Sequence, residues 1–182
     1  MICDEIQSGM GRSGRFLACQ WIEGLQPDII CLSKALSGGY VPLGATITRR
    51  AIYDSVFDSM DRATVHACTF GMGNLAMAAG LSTLTVLDDE NLLARANETG
   101  ARFRRGIEAM VPRFEFLKGV QQRGMMIGIE FGKPNSLPLK AAWAMANKID
   151  ENLFAQAIVI PLLEDHHILT QVAGHAVPII KI

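Results

Sequence analysis

A lysine at the end of an apolar run is the residue whose surroundings point most directly to chemistry. Lys34 follows the apolar residues 29–32 and precedes Gly38 and Gly39. A run of this kind indicates a buried strand. A lysine held at its end is expected to be desolvated, which disfavours the charged form and leaves a nucleophilic amine. The sequence therefore predicts Schiff-base chemistry at Lys34, against the commoner alternative of a surface lysine beside a core strand.

An aspartate follows a second short apolar segment, at residues 1–3. Asp4 and Lys34 are separated by 30 positions (34 − 4), which is enough for a crossover between two parallel strands. Open α/β folds bind their ligands at the carboxyl edge of the sheet, so we expect both side chains at that edge. There Asp4 can keep the ring nitrogen of a pyridine cofactor protonated, which makes the ring an electron sink. The alternative for a lone aspartate is a turn carboxylate or a helix cap.

Two longer stretches around these residues resemble a known family. Residues 4–14 read Asp-Glu-Ile-Gln-Ser-Gly-Met-Gly-Arg-Ser-Gly, and residues 26–39 read Gln-Pro-Asp-Ile-Ile-Cys-Leu-Ser-Lys-Ala-Leu-Ser-Gly-Gly. In this order they resemble the class III pyridoxal-phosphate aminotransferases of the ornithine, acetylornithine and putrescine type. Similar segments follow along nearly the whole chain, at residues 44–47, 69–71, 75–79 and 123–130.

The resemblance implies an α/β fold, part of the large domain of a fold-type I pyridoxal-phosphate transferase followed by a smaller α+β C-terminal lobe. We place the later part of the cofactor-binding domain at residues 1–99 and an incomplete small domain at 100–182. Both ends of the chain look cut, since family members carry a long N-terminal part with the phosphate loop and continue past this C-terminus. We therefore expect the isolated segment to be weakly active or inactive.

Four residues receive site roles from the resemblance. Lys34 is the catalytic lysine that forms the Schiff base, and Asp4 pairs with the pyridinium nitrogen. Gln7 hydrogen-bonds the ring oxygen of the cofactor. Thr69 reaches the cofactor phosphate across a dimer interface. Without the resemblance, Gln7 is a loop amide and Thr69 an ordinary loop threonine.

Other residues near these motifs have plainer expected roles. Glu5 is expected to support its loop, and His66 and Phe70 are expected to pack. Arg123 either binds a carboxylate or belongs to a structural ion pair. The family motif Gly-Asn-Pro is replaced here by residues 72–74, Met-Gly-Asn, which changes the loop near the expected phosphate site.

The last apolar strand carries a difference that bears on the substrate. Lys181 stands where the ornithine enzymes have an arginine, and a lysine cannot grip a carboxylate with two parallel bonds. We therefore expect an ω-amine or diamine donor, rather than a tightly held α-carboxylate. The expected reaction is transamination to a 2-oxo acid through Lys34, with pyridoxal 5'-phosphate as cofactor and a homodimer with shared sites. The alternatives are a truncated non-catalytic remnant or a binding module with an aminotransferase-like fold.

Composition excludes several other classes of function. The 182 residues are 49% hydrophobic and 19% charged with a net charge of −1, which gives no basis for nucleic-acid binding. No stretch approaches the roughly 20 apolar residues of a membrane span. The four cysteines and four histidines lack metal-ligand spacing, so no metal is predicted, and the thiols are expected to be reduced in a cytoplasmic protein.

Hydrophobic periodicity predicts the order of the elements. Helices are expected at residues 51–57, 75–87, 92–110 and 140–154, with a stop and restart at the acidic stretch 88–91. Strands are expected at residues 1–3, 29–32, 43–48, 120–122, 125–131, 157–162 and 177–182. The predicted strands 120–122 and 125–131 form a tight pair at Gly124.

Overall fold

A computed structural model describes residues 1–149, 153–174 and 177–182 of the chain. It divides into two compact units, Met1–Ala96 and Asn97–Ile182. The assignment of residues 1–99 and 100–182 to a cofactor domain and a small domain stays a prediction. No helix among the described residues combines the length and the apolar character that crossing a membrane requires.

The first unit contains a three-stranded sheet whose strands lie in the order β1-β2-β3. The strands are β1 (Ile2–Asp4), β2 (Ile29–Leu32) and β3 (Ala45–Thr48). β1 runs parallel to β2, whereas β3 is antiparallel to it. Isoleucine and threonine recur in these strands because β-branched side chains suit a pleated surface. The predicted strands at 1–3, 29–32 and 43–48 are confirmed, and so is the parallel pairing of the first two.

Helices and short 3-10 turns connect and cover this sheet. The helices are α1 (Arg50–Val56), α2 (Asn74–Asp89) and α3 (Leu92–Glu108), and the last of these includes the boundary between the units. Asn91 separates α2 from α3 with a left-handed φ of 49°, which confirms the predicted stop and restart. The 3-10 helices are Ala18–Trp21, Lys34–Ser37 and Met60–Arg62. The core of this unit is formed by Met10, Leu32, Leu36 and Leu87.

The second unit contains a four-stranded antiparallel sheet in the order β4-β5-β7-β6. Its strands are β4 (Leu117–Arg123), β5 (Met126–Phe131), β6 (Gln171–Val172) and β7 (Ile179–Lys181). Its helices are α4 (Leu137–Ile149) and α5 (Leu153–Glu164), with a 3-10 turn at Val111–Arg113. Four aromatic rings contact one another in this unit, with one stacked pair and three tilted pairs, namely Phe116, Phe131, Trp143 and Phe154.

The β4–β5 hairpin confirms the predicted tight pair. Gly124 adopts a left-handed φ of 54° in the connection, and Gln122 Nε2 donates a 2.8 Å hydrogen bond to the Gly124 carbonyl. Gly100 of α3 faces this turn so closely that an added Cβ would lie 1.8 Å from the Gly124 carbonyl oxygen. A glycine is therefore required where helix and turn meet.

The prediction of a strand at residues 157–162 is wrong, because these residues belong to α5. A short continuous apolar run does not by itself distinguish a strand from a helix, and here the helical stretch is 12 residues long and contains Pro161. The predicted helix 140–154 is divided between α4 and α5. Residues 150–152 of that prediction lie outside the described residues.

Candidate active site

The parallel pairing of β1 with β2 places the predicted site residues at one edge of the sheet. Asp4 is the register partner of Cys31, and the Glu5 N–H donates to the Cys31 carbonyl at 2.9 Å. Lys34 follows Cys31 by three residues, just beyond the carboxyl end of β2. The two predicted site residues, Asp4 and Lys34, therefore lie where two parallel strands end, which is the edge at which α/β sheets bind ligands.

Lys34 and Gln7 are joined directly by a hydrogen bond. Lys34 Nζ donates to Gln7 Oε1 at 3.1 Å, across 27 residues of sequence. This bond connects the turn that follows β1 to the residue that follows β2. Of the residues predicted for the site, these two are the pair that the structure brings into contact.

The backbone around Lys34 makes a sharp turn after β2. Lys34 opens the 3-10 helix Lys34–Ser37 with a left-handed φ of 44°, which is uncommon for a residue with a side chain. The Ser33 hydroxyl donates to the Leu43 carbonyl at 2.8 Å, and Gly38 ends the helix with a φ of 66°. These contacts hold a conformation that the free chain would rarely adopt, so the position of the amine is set by its surroundings.

The expectation that Lys34 is desolvated is wrong for this structure, because its side chain is exposed. The strand before it does reach the core, since Leu32 is only 4% exposed. An apolar run reports the burial of the strand itself but not of the residue beyond its end. Within the described residues, the position of Lys34 therefore derives from its turn and from Gln7, and burial does not shield the amine.

Asp4 is exposed and already has one backbone partner. Its Oδ1 accepts a 3.0 Å hydrogen bond from the N–H of Ile6, which is the turn role proposed as the alternative from sequence. This bond uses one of the acceptor positions of a carboxylate that has several. The turn role is thus compatible with a second role at the sheet edge.

The expectation that Glu5 supports its loop is confirmed by the contacts of its buried carboxylate. Glu5 is 3% exposed, and its carboxylate accepts hydrogen bonds from the Ser8 hydroxyl and, at 2.7 Å, from the N–H of Cys19. Burial acts to raise the pKa of Glu5, but these hydrogen bonds outweigh it and the pKa is lowered below its usual value.

The thiol of Cys19 lies against the same carboxylate. Burial, and then its contacts with Glu5 and with Cys3, raise the pKa of Cys19 to about 11. A thiol with so high a pKa is protonated at neutral pH and is a poor nucleophile. Cys19 therefore stabilises the turn through its contact with Glu5 and is not a reactive thiol.

Thr69 lies in an exposed stretch, residues 58–72, that holds turns and a short 3-10 helix. No hydrogen bond among the described residues joins Thr69 to Lys34, Asp4 or Gln7. The expectation that His66 and Phe70 pack is wrong here, since both are exposed and Phe70 is 89% so.

The two basic residues of the second unit that the sequence analysis considered for substrate binding, Arg123 and Lys181, lie on its sheet. Arg123 ends β4 opposite Met126, and Lys181 of β7 is the register partner of Gly128 and of Gln171. The Lys181 side chain is half-buried. Their roles in binding a substrate stay predictions.

Comparison with known proteins agrees with this arrangement. The family model described as Aminotransferase class-III matches residues 1–160, and the chain belongs to this family. The whole chain is 31% identical to Aminotransferase PigE of a Serratia species and covers 25% of that protein.

Solved structures resemble the chain over its full length. Ornithine aminotransferase from Toxoplasma gondii is 29% identical with a TM-score of 0.76, and the match covers 99% of this chain and 37% of that one. Taurine:2-oxoglutarate aminotransferase from Bifidobacterium kashiwanohense, solved in complex with PLP and glutamate, is 25% identical with a TM-score of 0.80 and is covered to 38% by the whole chain. The fold is thus the α/β fold of fold-type I pyridoxal-phosphate transferases, and the chain spans well under half the length of these relatives.

Proposed function

We propose that the protein containing this chain is a pyridoxal-phosphate-dependent transaminase that uses Lys34 as its catalytic amine. The observation that carries the proposal is the hydrogen bond between Lys34 Nζ and Gln7 Oε1, next to the strand end that bears Asp4. Membership of the class-III aminotransferase family supports the same reaction. A lysine amine for the aldehyde and a carboxylate for the ring nitrogen are the groups through which proteins bind and activate pyridoxal phosphate, and Lys34 and Asp4 supply both at this sheet edge.

The residues at the sheet edge fit the cofactor by their chemistry. Asp4 would face the ring nitrogen with an acceptor oxygen, and Gln7 would hydrogen-bond the ring oxygen. In a homodimer whose two copies share their sites, Thr69 would reach the phosphate of the cofactor bound by the other copy. When bound, pyridoxal phosphate supplies an aldehyde for an amine and a ring that takes up electrons from the substrate carbon.

Lys34 has two tasks in this proposal. Its Nζ would hold the aldehyde until the amine of the donor displaces it, and the freed amine would then take the proton from the carbon that carries the amino group of the donor. A positioned lysine base contributes on the order of 10² to 10⁴ to the rate. Gln7 supports both tasks, because its Oε1 fixes the direction in which the amine points.

The proposed donor is an ω-amine or a diamine, and the acceptor is a 2-oxo acid. Lys181 supports this choice, since a single ammonium grips an α-carboxylate less firmly than a bidentate arginine does. The structural relative named for taurine and 2-oxoglutarate supports it as well, because taurine has no α-carboxylate.

Spectroscopy with the cofactor tests the proposal. The purified chain is mixed with pyridoxal phosphate, and its visible absorption is compared with that of Lys34→Ala and of Lys133→Ala, an exposed lysine of the second unit. We expect a visible band that is lost in Lys34→Ala and retained in Lys133→Ala. A band that both variants retain, or no band in any of the three, would favour a non-catalytic remnant or a binding module.

A further inference from the structure

A buried carboxylate lies at the base of the turn that carries the site. Glu5 is 3% exposed, whereas its neighbours Asp4 and Gln7 are both exposed. The exposed side chains of Asp4 and Gln7 thus lie on either side, in sequence, of a residue whose side chain is buried. Burying a carboxylate is unfavourable unless hydrogen bonds satisfy it, so the contacts of Glu5 indicate what it holds in place.

Those contacts join three separate segments of the first unit. The Glu5 N–H bonds the carbonyl of Cys31 in β2, and its carbonyl accepts the N–H of Gly9, both at 2.9 Å. Its carboxylate accepts the Ser8 hydroxyl within the turn and, at 2.7 Å, the N–H of Cys19 in the helix Ala18–Trp21. Glu5 therefore anchors both ends of the turn 5–9 to the sheet and to a neighbouring helix.

Gln7 lies inside the turn that Glu5 closes. Two bonds fix this turn, one from Gly9 N–H to the Glu5 carbonyl and one from Ser8 to the Glu5 carboxylate. The turn is closely packed at Gly9, because a Cβ added there would lie 2.8 Å from the Glu5 carbonyl oxygen and 3.0 Å from Leu32 Cδ2. A displacement of Glu5 must therefore move Gln7.

We propose that Glu5 is a positioning residue that holds the turn 5–9 so that Gln7 Oε1 meets the amine of Lys34. Its side chain touches neither Lys34 nor Gln7 in any hydrogen bond of the described residues, so it acts through the backbone. The relevance to catalysis rests on the role proposed above for Lys34, but the geometry can be tested without cofactor.

Glu5→Gln is the sharpest perturbation, because it keeps the volume of the side chain. A carboxylate only accepts hydrogen bonds, whereas an amide presents an NH₂ in place of one oxygen. If that NH₂ faces Ser8, the hydroxyl oxygen can accept it, so both contacts persist but without the negative charge that strengthens them; if it faces the N–H of Cys19, that contact is lost. Either way the turn is held less firmly, and we expect the contact between Gln7 and Lys34 to weaken.

Competitive acetylation reads out the contact between Gln7 and Lys34. Each protein is treated with trace acetic anhydride, and mass spectrometry gives the acetylation of Lys34 relative to Lys133. Losing the acceptor of an ammonium hydrogen bond frees the amine, so Gln7→Ala should raise the ratio about fivefold. Glu5→Gln should raise the ratio of Lys34 to Lys133 acetylation by at least half of the increase seen in Gln7→Ala. Both variants are measured at a temperature at which circular dichroism shows that they are folded.

A carboxylate in the second unit supplies the matched control. Glu115 accepts two backbone N–H groups, from Asn135 and Ser136, both at 2.7 Å, and these bonds lower its pKa below the usual range. Glu115→Gln should leave the Lys34 ratio unchanged. If Glu5→Gln does not fold, Ser8→Ala removes one anchor and should raise the ratio about twofold.

The outcomes separate this inference from the proposed function. The inference is overturned if Glu5→Gln, or Ser8→Ala in its place, leaves the ratio at the wild-type value. It is also overturned if Gln7→Ala has no effect, or if Glu115→Gln has the same effect as Glu5→Gln. None of these results depends on pyridoxal phosphate. If the spectroscopic test fails, the acetylation ratios therefore still decide whether Glu5 positions Gln7.

Discussion

A methyl group added at Gly100 should destabilise the second unit, whereas the same change at Gly106 should not. Both glycines lie in α3. At Gly100 an added Cβ would lie 1.8 Å from the Gly124 carbonyl oxygen and 2.4 Å from Gln122 Nε2. At Gly106 no atom lies within 4 Å of the added Cβ.

The expected magnitudes follow from this difference in space. Non-bonded carbon and oxygen atoms require more than 3 Å, so the Gly100 methyl must push the helix or the turn aside by more than an ångström. Overpacking of this kind typically costs about 1–3 kcal/mol and here should reach about 2 kcal/mol, since the obstacle is backbone. At Gly106, alanine should stabilise the helix by about 0.5–1 kcal/mol, because it has the higher helix propensity.

Urea unfolding followed by circular dichroism measures the difference between the two variants. We expect Gly100→Ala to lower the free energy of unfolding of the second unit and Gly106→Ala to leave it unchanged or raise it. Equal stabilities for the two variants would refute the close contact between α3 and the β4–β5 turn. A stabilised Gly100→Ala variant would refute it more strongly.

Two further predictions concern the supports of the proposed site. Because the pKa of Glu5 is lowered from its usual 4.5, its charge stabilises the fold above that pH, and this contribution is lost as the pH falls below it. The stability advantage of wild type over Glu5→Gln, measured by thermal unfolding, should therefore shrink from pH 6 to pH 3. An advantage that does not change with pH would contradict this. The thiol of Cys19, with a pKa of about 11 against the usual 9.0, holds about 100-fold less thiolate at pH 8. Iodoacetamide should therefore modify the exposed Cys68 long before Cys19 in the folded protein, and equal rates would contradict the buried contact with Glu5.

The sequence predicted the sheet edge better than it predicted the environment of the lysine. Two parallel strands that end at Asp4 and just before Lys34 follow from two apolar segments and the crossover length between them, and the structure has this pairing. The left-handed φ of Lys34 occurs between a Ser33 hydroxyl that is bonded to the Leu43 carbonyl and a 3-10 helix that ends at Gly38, and hydrophobic periodicity does not report such contacts. The exposure of Lys34 could not be read from the burial of the strand before it.

The second unit shows the same limit on a larger scale. The apolar run at 157–162 fits a strand and a buried helix equally well, and the choice depends on what packs around it. In the structure, rings of Phe116 and Trp143 pack on Phe154 at the start of α5. Such packing is a tertiary property, so local sequence could not decide the element. The roles of Thr69 and Lys181 rest on resemblance and stay predictions.

Locating the attachment point of pyridoxal phosphate tests the central claim most directly. The protein is incubated with the cofactor and reduced with borohydride, and peptide mass spectrometry then identifies which of the lysines carries the pyridoxyl group. If the sheet edge between Asp4 and Lys34 is the reactive site, the label will be concentrated on Lys34. A label spread evenly over Lys118, Lys133 and Lys140, with no excess on Lys34, would contradict the account.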